Sequence, residues 1–139
     1  CDGPACNNTQ DMFEVMKDAA LLQKVTTNDA TALTAREVFS MATIDGARAC
    51  GMEDKIGSLS PGKIADVTII DTLAPHLCPI HDPFATLVYS ARAADVEMVM
   101  VAGRVVVRDR KILTIDEQPV IEKAQKRAME LRQAAENNS

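Results

Sequence analysis

Within the opening Cys1-Asp2-Gly3-Pro4-Ala5-Cys6-Asn7-Asn8-Thr9, Asp2 is the residue whose type and setting best suit chemistry. A carboxylate can ligate a divalent metal, take a proton from an attacking water and hand it on to a leaving amine. Gly3-Pro4 turns the backbone directly after it, so the aspartate reads as lying at the exit of a strand. Asn8 or Thr9 can cap the helix that follows, and Asn7 and Asn8 could also face a substrate. A plain turn is the alternative reading of Asp-Gly-Pro. Cys1 offers different chemistry, since a chain can begin at a thiol that uses its own amine as base, and mature lipoproteins also begin at Cys. His76 and His81, five residues apart in a proline-bounded loop, could form a metal pair, but a structural or interface role is the preferred reading. Cys50 and Cys78 read as buried small apolar residues.

Composition narrows the classes of function. The chain has 139 residues, enough for one domain or part of a larger one, and its 47% hydrophobic content is enough for a core. The 15 Lys+Arg against 20 Asp+Glu leave a net charge of −5, and with 3% aromatics and no Trp this argues against a nucleic-acid partner. Residues 1–54 carry 9 acids against 4 bases. That excess suits a cation site, and a solvated helical surface explains it equally well. Cysteines at 1, 6, 50 and 78 form no C-x-x-C pair. Their even number permits disulfides, but the spacing fits neither a zinc knuckle nor a secreted scaffold, so reduced thiols in a cytoplasmic protein are expected. No stretch approaches the ~18 apolar residues of a membrane span, and no basic-then-apolar leader is read.

The elements that would position these residues follow from periodicity. Met12, Val15, Met16, Ala19 and Leu22 recur at helical spacing through residues 11–25, with Phe13, Ala20 and Leu21 widening the stripe, which predicts a well-buried helix. Thr26-Thr27-Asn28-Asp29 breaks the pattern. Thr34 and Glu37 have capping-box spacing for a helix through Ala42, and a further short helix from Ile44 to Cys50 should stop at Gly51. The period then changes to two. Ile56–Leu59 and Ala65–Asp71 read as strands joined by a type II turn at Ser60-Pro61-Gly62-Lys63. After a loop rich in Pro and His, Asp82 caps a helix from Pro83 to about Arg92. Glu97–Val101 and Arg104–Arg108 form a hairpin about Ala102-Gly103. A last helix is capped by Asp116, tolerates Pro119 in its first turn, and carries Val120, Ala124, Ala128, Leu131 and Ala135 on one face. Glu122 and Lys126 are an expected i,i+4 pair, and Asn137 to Ser139 should fray.

Three segments resemble a known family. GSLSPGKIADVTIID at 57–71 is similar to the C-terminal part of the amidohydrolase superfamily, where such a segment belongs to a small β-sandwich flanking a β/α barrel. DGPACNNTQDMFEVMKDAALLQK at 2–24 and APHLCPIHDP at 74–83 resemble the 5-methylthioadenosine/S-adenosylhomocysteine deaminase and chlorohydrolase branch. The resemblance implies an α/β fold made of the end of a TIM-type metal-dependent hydrolase barrel (1–54), a β-sandwich segment with an inserted loop and helix at 74–92 (55–115), and a closing C-terminal helix (116–139).

It further implies that Asp2 matches the aspartate ending the eighth barrel strand, which binds a divalent metal, zinc or iron, and moves protons during hydrolysis of C–N bonds. The implied substrate is an adenine nucleoside such as methylthioadenosine or S-adenosylhomocysteine. The alternatives are a triazine or purine chlorohydrolase or deaminase and, in another class, a non-catalytic sandwich-and-helix module. Cys1 and Cys6 stand where the family usually has small hydroxyl residues, and its His-x-His has no counterpart in this chain, so most ligands would lie upstream. Association with that missing part, or as a homo-oligomer, is expected.

Overall fold

The computed structural model describes residues 3–137, in which a helical half is followed by a four-stranded sheet and a long terminal helix. The short α1 (Pro4–Asn7) starts on its proline and ends where Asn8 adopts the left-handed conformation at φ 57°. α2 (Met12–Thr27) is capped by Asp11, whose side chain accepts from the Phe13 N–H, and not by Asn8 or Thr9 as the sequence suggests. Asn8 instead closes α1, and the Thr9 hydroxyl donates to Glu14.

α3 (Ala35–Met41) carries the expected capping box, with Thr34 and Glu37 satisfying each other's backbone N–H groups. α4 (Ile44–Ala49) ends before Gly51, which lies at φ 66°. α5 (Pro83–Ala85) is capped by Asp82 and widens into a π turn at Thr86–Ser90, closed by the Ala91 N–H to the Thr86 carbonyl at 2.9 Å. Periodicity alone gives an ordinary helix here; the wider turn accompanies a Val88 that is wholly buried.

These elements share one core. Met16 and Ala20 of α2, Val38 of α3 and Val88 of the π turn are buried together, flanked by Phe13, Leu33, Ala35, Phe39 and Tyr89. Phe39 and Phe84 meet edge to face at 5.3 Å, and the Arg36 guanidinium lies 4.0 Å over the Phe84 ring. Only that narrow strip of α2 is buried, which corrects the expectation of a well-buried helix: Leu22 is 65% and Val25 79% exposed. Their period-3.6 pattern specifies an apolar face, and the described residues cover only part of it.

The sheet is an antiparallel meander in the order β1 (Val67–Ile70), β2 (Val96–Val101), β3 (Arg104–Arg108), β4 (Lys111–Ile112). β2 and β3 turn through Ala102 at φ 49° and Gly103 at φ 79°, the paired positive values a tight two-residue hairpin needs. Ala-Gly is a weak turn, and it is gripped by the residues just before β1: the Ala102 N–H donates to Asp66 Oδ1 at 2.7 Å and the Gly103 N–H to the Ala65 carbonyl at 2.9 Å. A second turn at Asp109-Arg110, also at positive φ, adds β4, which no glycine announced in the sequence. Ile56–Leu59, expected as a strand, is irregular. The turn after it is as expected, with Gly62 at φ 90° and the Lys63 N–H donating to the Ser60 carbonyl at 3.2 Å.

The reason for the irregularity is Gly57, at φ 85°, packed so closely on α4 that an added Cβ would lie 2.7 Å from Ala47 Cβ and 3.0 Å from Ile44 Cα. Lys63 holds the same segment by donating to the carbonyls of Glu53 and Ile56. α6 (Glu117–Asn137) starts at Asp116, whose carboxylate accepts from the Gln118 N–H at 3.3 Å, and none of its residues is buried. Glu122 accepts from Gln118, in place of the expected pair with Lys126. The fraying expected of Asn138 and Ser139 lies outside the described residues.

Two glycines separate strain from contact. Gly57→Ala should destabilise the protein by about 2 kcal/mol or more, because it adds steric overlap to a positive φ, whereas Gly62→Ala, with nothing within 4 Å, bears only the backbone cost of about 1 kcal/mol. Urea unfolding of both variants checks this, and equal losses would contradict the packing assigned to Gly57.

Candidate functional site

Asp2, the one predicted metal ligand and catalytic residue, and Cys1, the alternative nucleophile, lie outside the described residues. The described chain begins at Gly3, which precedes α1 in an extended conformation (φ −94°, ψ 165°). From there to Gln10 every hydrogen bond among the described residues stays within residues 3–14. The first long-range link is Asp11: while Oδ1 caps α2, Oδ2 accepts the Ala93 N–H at 3.0 Å, 82 residues away. The stretch carrying Cys6, Asn7 and Asn8 is exposed.

The described residues contain no group of three His, Cys, Asp or Glu side chains able to hold a metal ion. By themselves they do not fit a catalytic metal, which needs three or more protein ligands. Any such centre that includes Asp2 must draw its other donors from elsewhere. His76 and His81 do not supply them. His81 is exposed and has no hydrogen-bonding partner among the described residues. His76 takes the structural role: its Nε2 lies 2.9 Å from Oδ2 of Asp95.

Asp95 is the buried charged residue of this half, only 5% exposed. Its Oδ2 also accepts the Arg92 N–H at 2.9 Å, while its own carbonyl accepts the Asp71 N–H at 2.8 Å from the end of β1. Burial pushes its carboxyl up, but the hydrogen bonds from His76 and the Arg92 backbone, aided by the charges of both residues, outweigh that and hold it below the ordinary aspartate range. Sequence reasoning missed both Asp95 and the Ala93 link of Asp11, because their partners are distant in sequence. Asp11 did carry a local signal, an Asp directly before an apolar-periodic run.

The thiols also need correction. Cys6, Cys50 and Cys78 are free and exposed, so Cys50 and Cys78 are not core residues. Cys78 Sγ lies 3.5 Å from the Thr72 carbonyl, within the loop that His76 anchors. The acid-rich first third does not form a cation site among the described residues. Thr31 hydrogen bonds hold Asp29 below its usual pKa, Thr34 does so for Glu37, and Ser40, assisted by Arg48, does so for Asp45 against a smaller opposing effect of desolvation.

With this geometry the chain can be set beside known proteins. Residues 1–106 match the amidohydrolase family. The chain belongs to that family. It is 52% identical over 130 residues to 5-methylthioadenosine/S-adenosylhomocysteine deaminase of Desulforudis audaxviator (strain MP104C), a match covering 94% of the chain and 30% of that protein. It is 49% identical over 130 residues to 5'-deoxyadenosine deaminase of Methanothermobacter thermautotrophicus, with the same coverage. Among solved structures, an adenosine deaminase from Xanthomonas campestris with bound zinc superposes with a TM-score of 0.91 at 37% identity, over 94% of this chain and 30% of that one. A triazine hydrolase variant shares the fold at a TM-score of 0.73 and 24% identity, covering 82% of this chain and 25% of that one. The chain thus spans about 30% of the length of the curated relatives it matches. No helix among the described residues is long and apolar enough to cross a membrane.

The Asp95 pair has a measurable acid signature. The folded pKa of Asp95 lies below the unfolded value of about 3.9, so its contribution is fully present above pH ~4 and is lost as pH falls through the depressed folded value. His76→Ala should cost about 1.5–3 kcal/mol near neutrality, because it withdraws one of two donors from a buried carboxylate. Urea titrations between pH 3 and 7 check both: the gap between wild type and Asp95→Asn should narrow below pH 4, and a constant gap would contradict the assignment.

Proposed function

We propose that the chain is the C-terminal part of a metal-dependent amidohydrolase that removes the amine from an adenine nucleoside. Residues 1–54 are read as the end of a β/α barrel, 55–115 as a β-sandwich segment and 116–139 as its closing helix. The observation that carries this reading is the 49–52% identity over 130 residues to two proteins named as deaminases of adenine nucleosides that differ at the 5' position. The structural similarity to an adenosine deaminase points the same way. The triazine hydrolases are similar at a level that bears on the fold alone, so dehalogenation ranks second.

In this reading Asp2 is the carboxylate this chain contributes to a centre for a divalent metal, zinc or iron, whose other ligands belong to sequence outside the chain. Its own task is proton transfer. It takes a proton from the water that adds to the ring carbon bearing the amine and returns it as the C–N bond breaks, so that ammonia leaves and a hypoxanthine nucleoside remains. A carboxylate following a barrel strand suits this, since barrel enzymes hold their reacting groups at the C-terminal ends of strands. The chain by itself, with one such carboxylate, would be inactive. A cytoplasmic location and association with the rest of the protein or with further copies complete the proposal; the exposed apolar face of α2 supports the association.

The test uses the full-length protein. Asp2→Asn should lower turnover by ~10²–10⁴-fold with the fold intact by circular dichroism. The wild type should release ammonia from methylthioadenosine or S-adenosylhomocysteine with a higher kcat/KM than from guanine, and than it releases chloride from a chlorotriazine. Near-normal turnover in the variant would remove the role of Asp2, and a triazine or guanine preference would overturn the substrate class.

A further inference from the structure

Among the described residues α6 is the longest element, yet none of its residues is buried. Helices in proteins are stabilised mainly by packing an amphipathic face, so a helix about 30 Å long with a bare apolar face calls for a cover. Ile121, Ala124, Ala128 and Leu131 recur along that face at intervals of 3, 4 and 3 residues, the spacing of a heptad seam. All four are exposed, Ile121 by 59% and Leu131 by 72%. The polar side chains of α6 bond within the helix: Gln118 donates to Glu122 at 3.0 Å, Arg127 to Glu130 at 2.8 Å and Arg132 to Glu136 at 2.9 Å. They leave the seam apolar. Two shallow grooves along the helix are lined by α6 residues alone.

The order of residues in the seam points to what covers it. From either end it runs large, small, small, large at the same intervals. In an antiparallel pair of α6 helices Ile121 therefore meets Leu131 of the second copy while Ala124 meets Ala128, and the paired alanines let the axes approach toward ~8 Å. A two-fold interface demands such self-complementarity, and an unrelated surface does not. Charge selects the orientation. A parallel pair would set Arg127 of each copy beside Arg132 of the other, two like-charge contacts. The antiparallel pair instead brings Arg132 near Gln118 and the acidic start at Asp116-Glu117 of the other copy, sets Gln125 beside Gln125, and opposes the helix dipoles. It leaves one like-charge approach, between the two Arg127 side chains, each of which already has Glu130 as partner. We infer that α6 is a self-association surface that pairs antiparallel with α6 of a second copy, about a two-fold axis at the level of Lys126. This surface is independent of the reaction proposed above and of the exposed face of α2.

The experiment is sedimentation equilibrium and oxidative cross-linking of the full-length protein, with thermal midpoints recorded alongside. The wild type should sediment as an even-numbered oligomer. Ile121→Glu and Leu131→Glu place a charge in the seam twice per dimer, so each should raise the dissociation constant ~100-fold or more and halve the mass at the same loading. Gln125→Cys leaves the seam intact and should cross-link between copies. Lys126→Cys, on the outer side of the helix, should give only the background of the wild type, whose Cys6, Cys50 and Cys78 are themselves exposed. A monomeric wild type, or equal cross-linking at positions 125 and 126, would overturn the inference. So would an unchanged mass in both Glu variants; with a lowered thermal midpoint, that result would assign the cover of α6 to other parts of the same polypeptide.

Discussion

The buried carboxylate of Asp95 is the constraint around which the β half is arranged. One residue makes four connections: its side chain receives His76 from the proline-rich loop and the Arg92 N–H from its own turn, its carbonyl accepts the Asp71 N–H just after β1, and it directly precedes β2. A carboxylate only 5% exposed would be costly alone, and the bonds that satisfy it fix the loop, the turn and the sheet edge relative to one another. Asp71, whose N–H reaches that knot, also pairs with Arg110 from the β3–β4 turn at 3.4 Å, which links the same corner to the far side of the meander. That exposed pair adds little energy; the buried knot does the fixing.

The helical half is held differently, by packing. Ala20 is completely buried beside Met16, so α2 can approach α3 and the π turn closely, and Val38 and Val88 fill the space between. The Phe39–Phe84 contact and the guanidinium of Arg36 over it seal the rim, with no buried side-chain polar atom left unpaired among the described residues. Lys24 closes the other end, reaching from the last turn of α2 to the carbonyls of Ala32 and Leu33, where a cation also suits the helix dipole. The two halves are then linked by a short list of contacts, of which Asp11 to Ala93 is the one that starts beside the N-terminal segment.

What could be read in the sequence was whatever is decided within four or five residues. The Thr34–Glu37 box, the Asp82 and Asp116 caps, the Pro61-Gly62 turn and the stop at Gly51 all depend on local backbone chemistry, and each is found where the residue types place it. The Ile56–Leu59 strand failed because its glycine serves contact with α4, a tertiary demand that alternation cannot register. β4 went unseen because its turn uses Asp109 and Arg110 at positive φ in place of glycine. The burial of α2 was overestimated because an apolar stripe records what a helix is meant to pack against, and the described residues supply only part of that surface. For Cys50 and Cys78 the general tendency of free thiols toward the core is overridden by local environment, and both are exposed.

The sequence offers a candidate site at one position, Asp2, which lies outside the described residues, and there is a physical reason that it offers no more. A hydrolytic centre is a convergence of side chains from separate strands, whereas a sequence displays residues one neighbourhood at a time. Several acids of the first third serve local structure instead. Asp11 caps and links, Asp29 receives Thr31, Glu37 answers Thr34 and Asp45 receives Ser40, so these charges are committed to shaping loops and helix starts. Hydroxyl and backbone donors hold the carboxyls of three of them below the usual range, and among the described residues the acids gather into no cluster that could hold a metal ion. The acidity that resembled a cation site is therefore mostly the cost of building short helices close together.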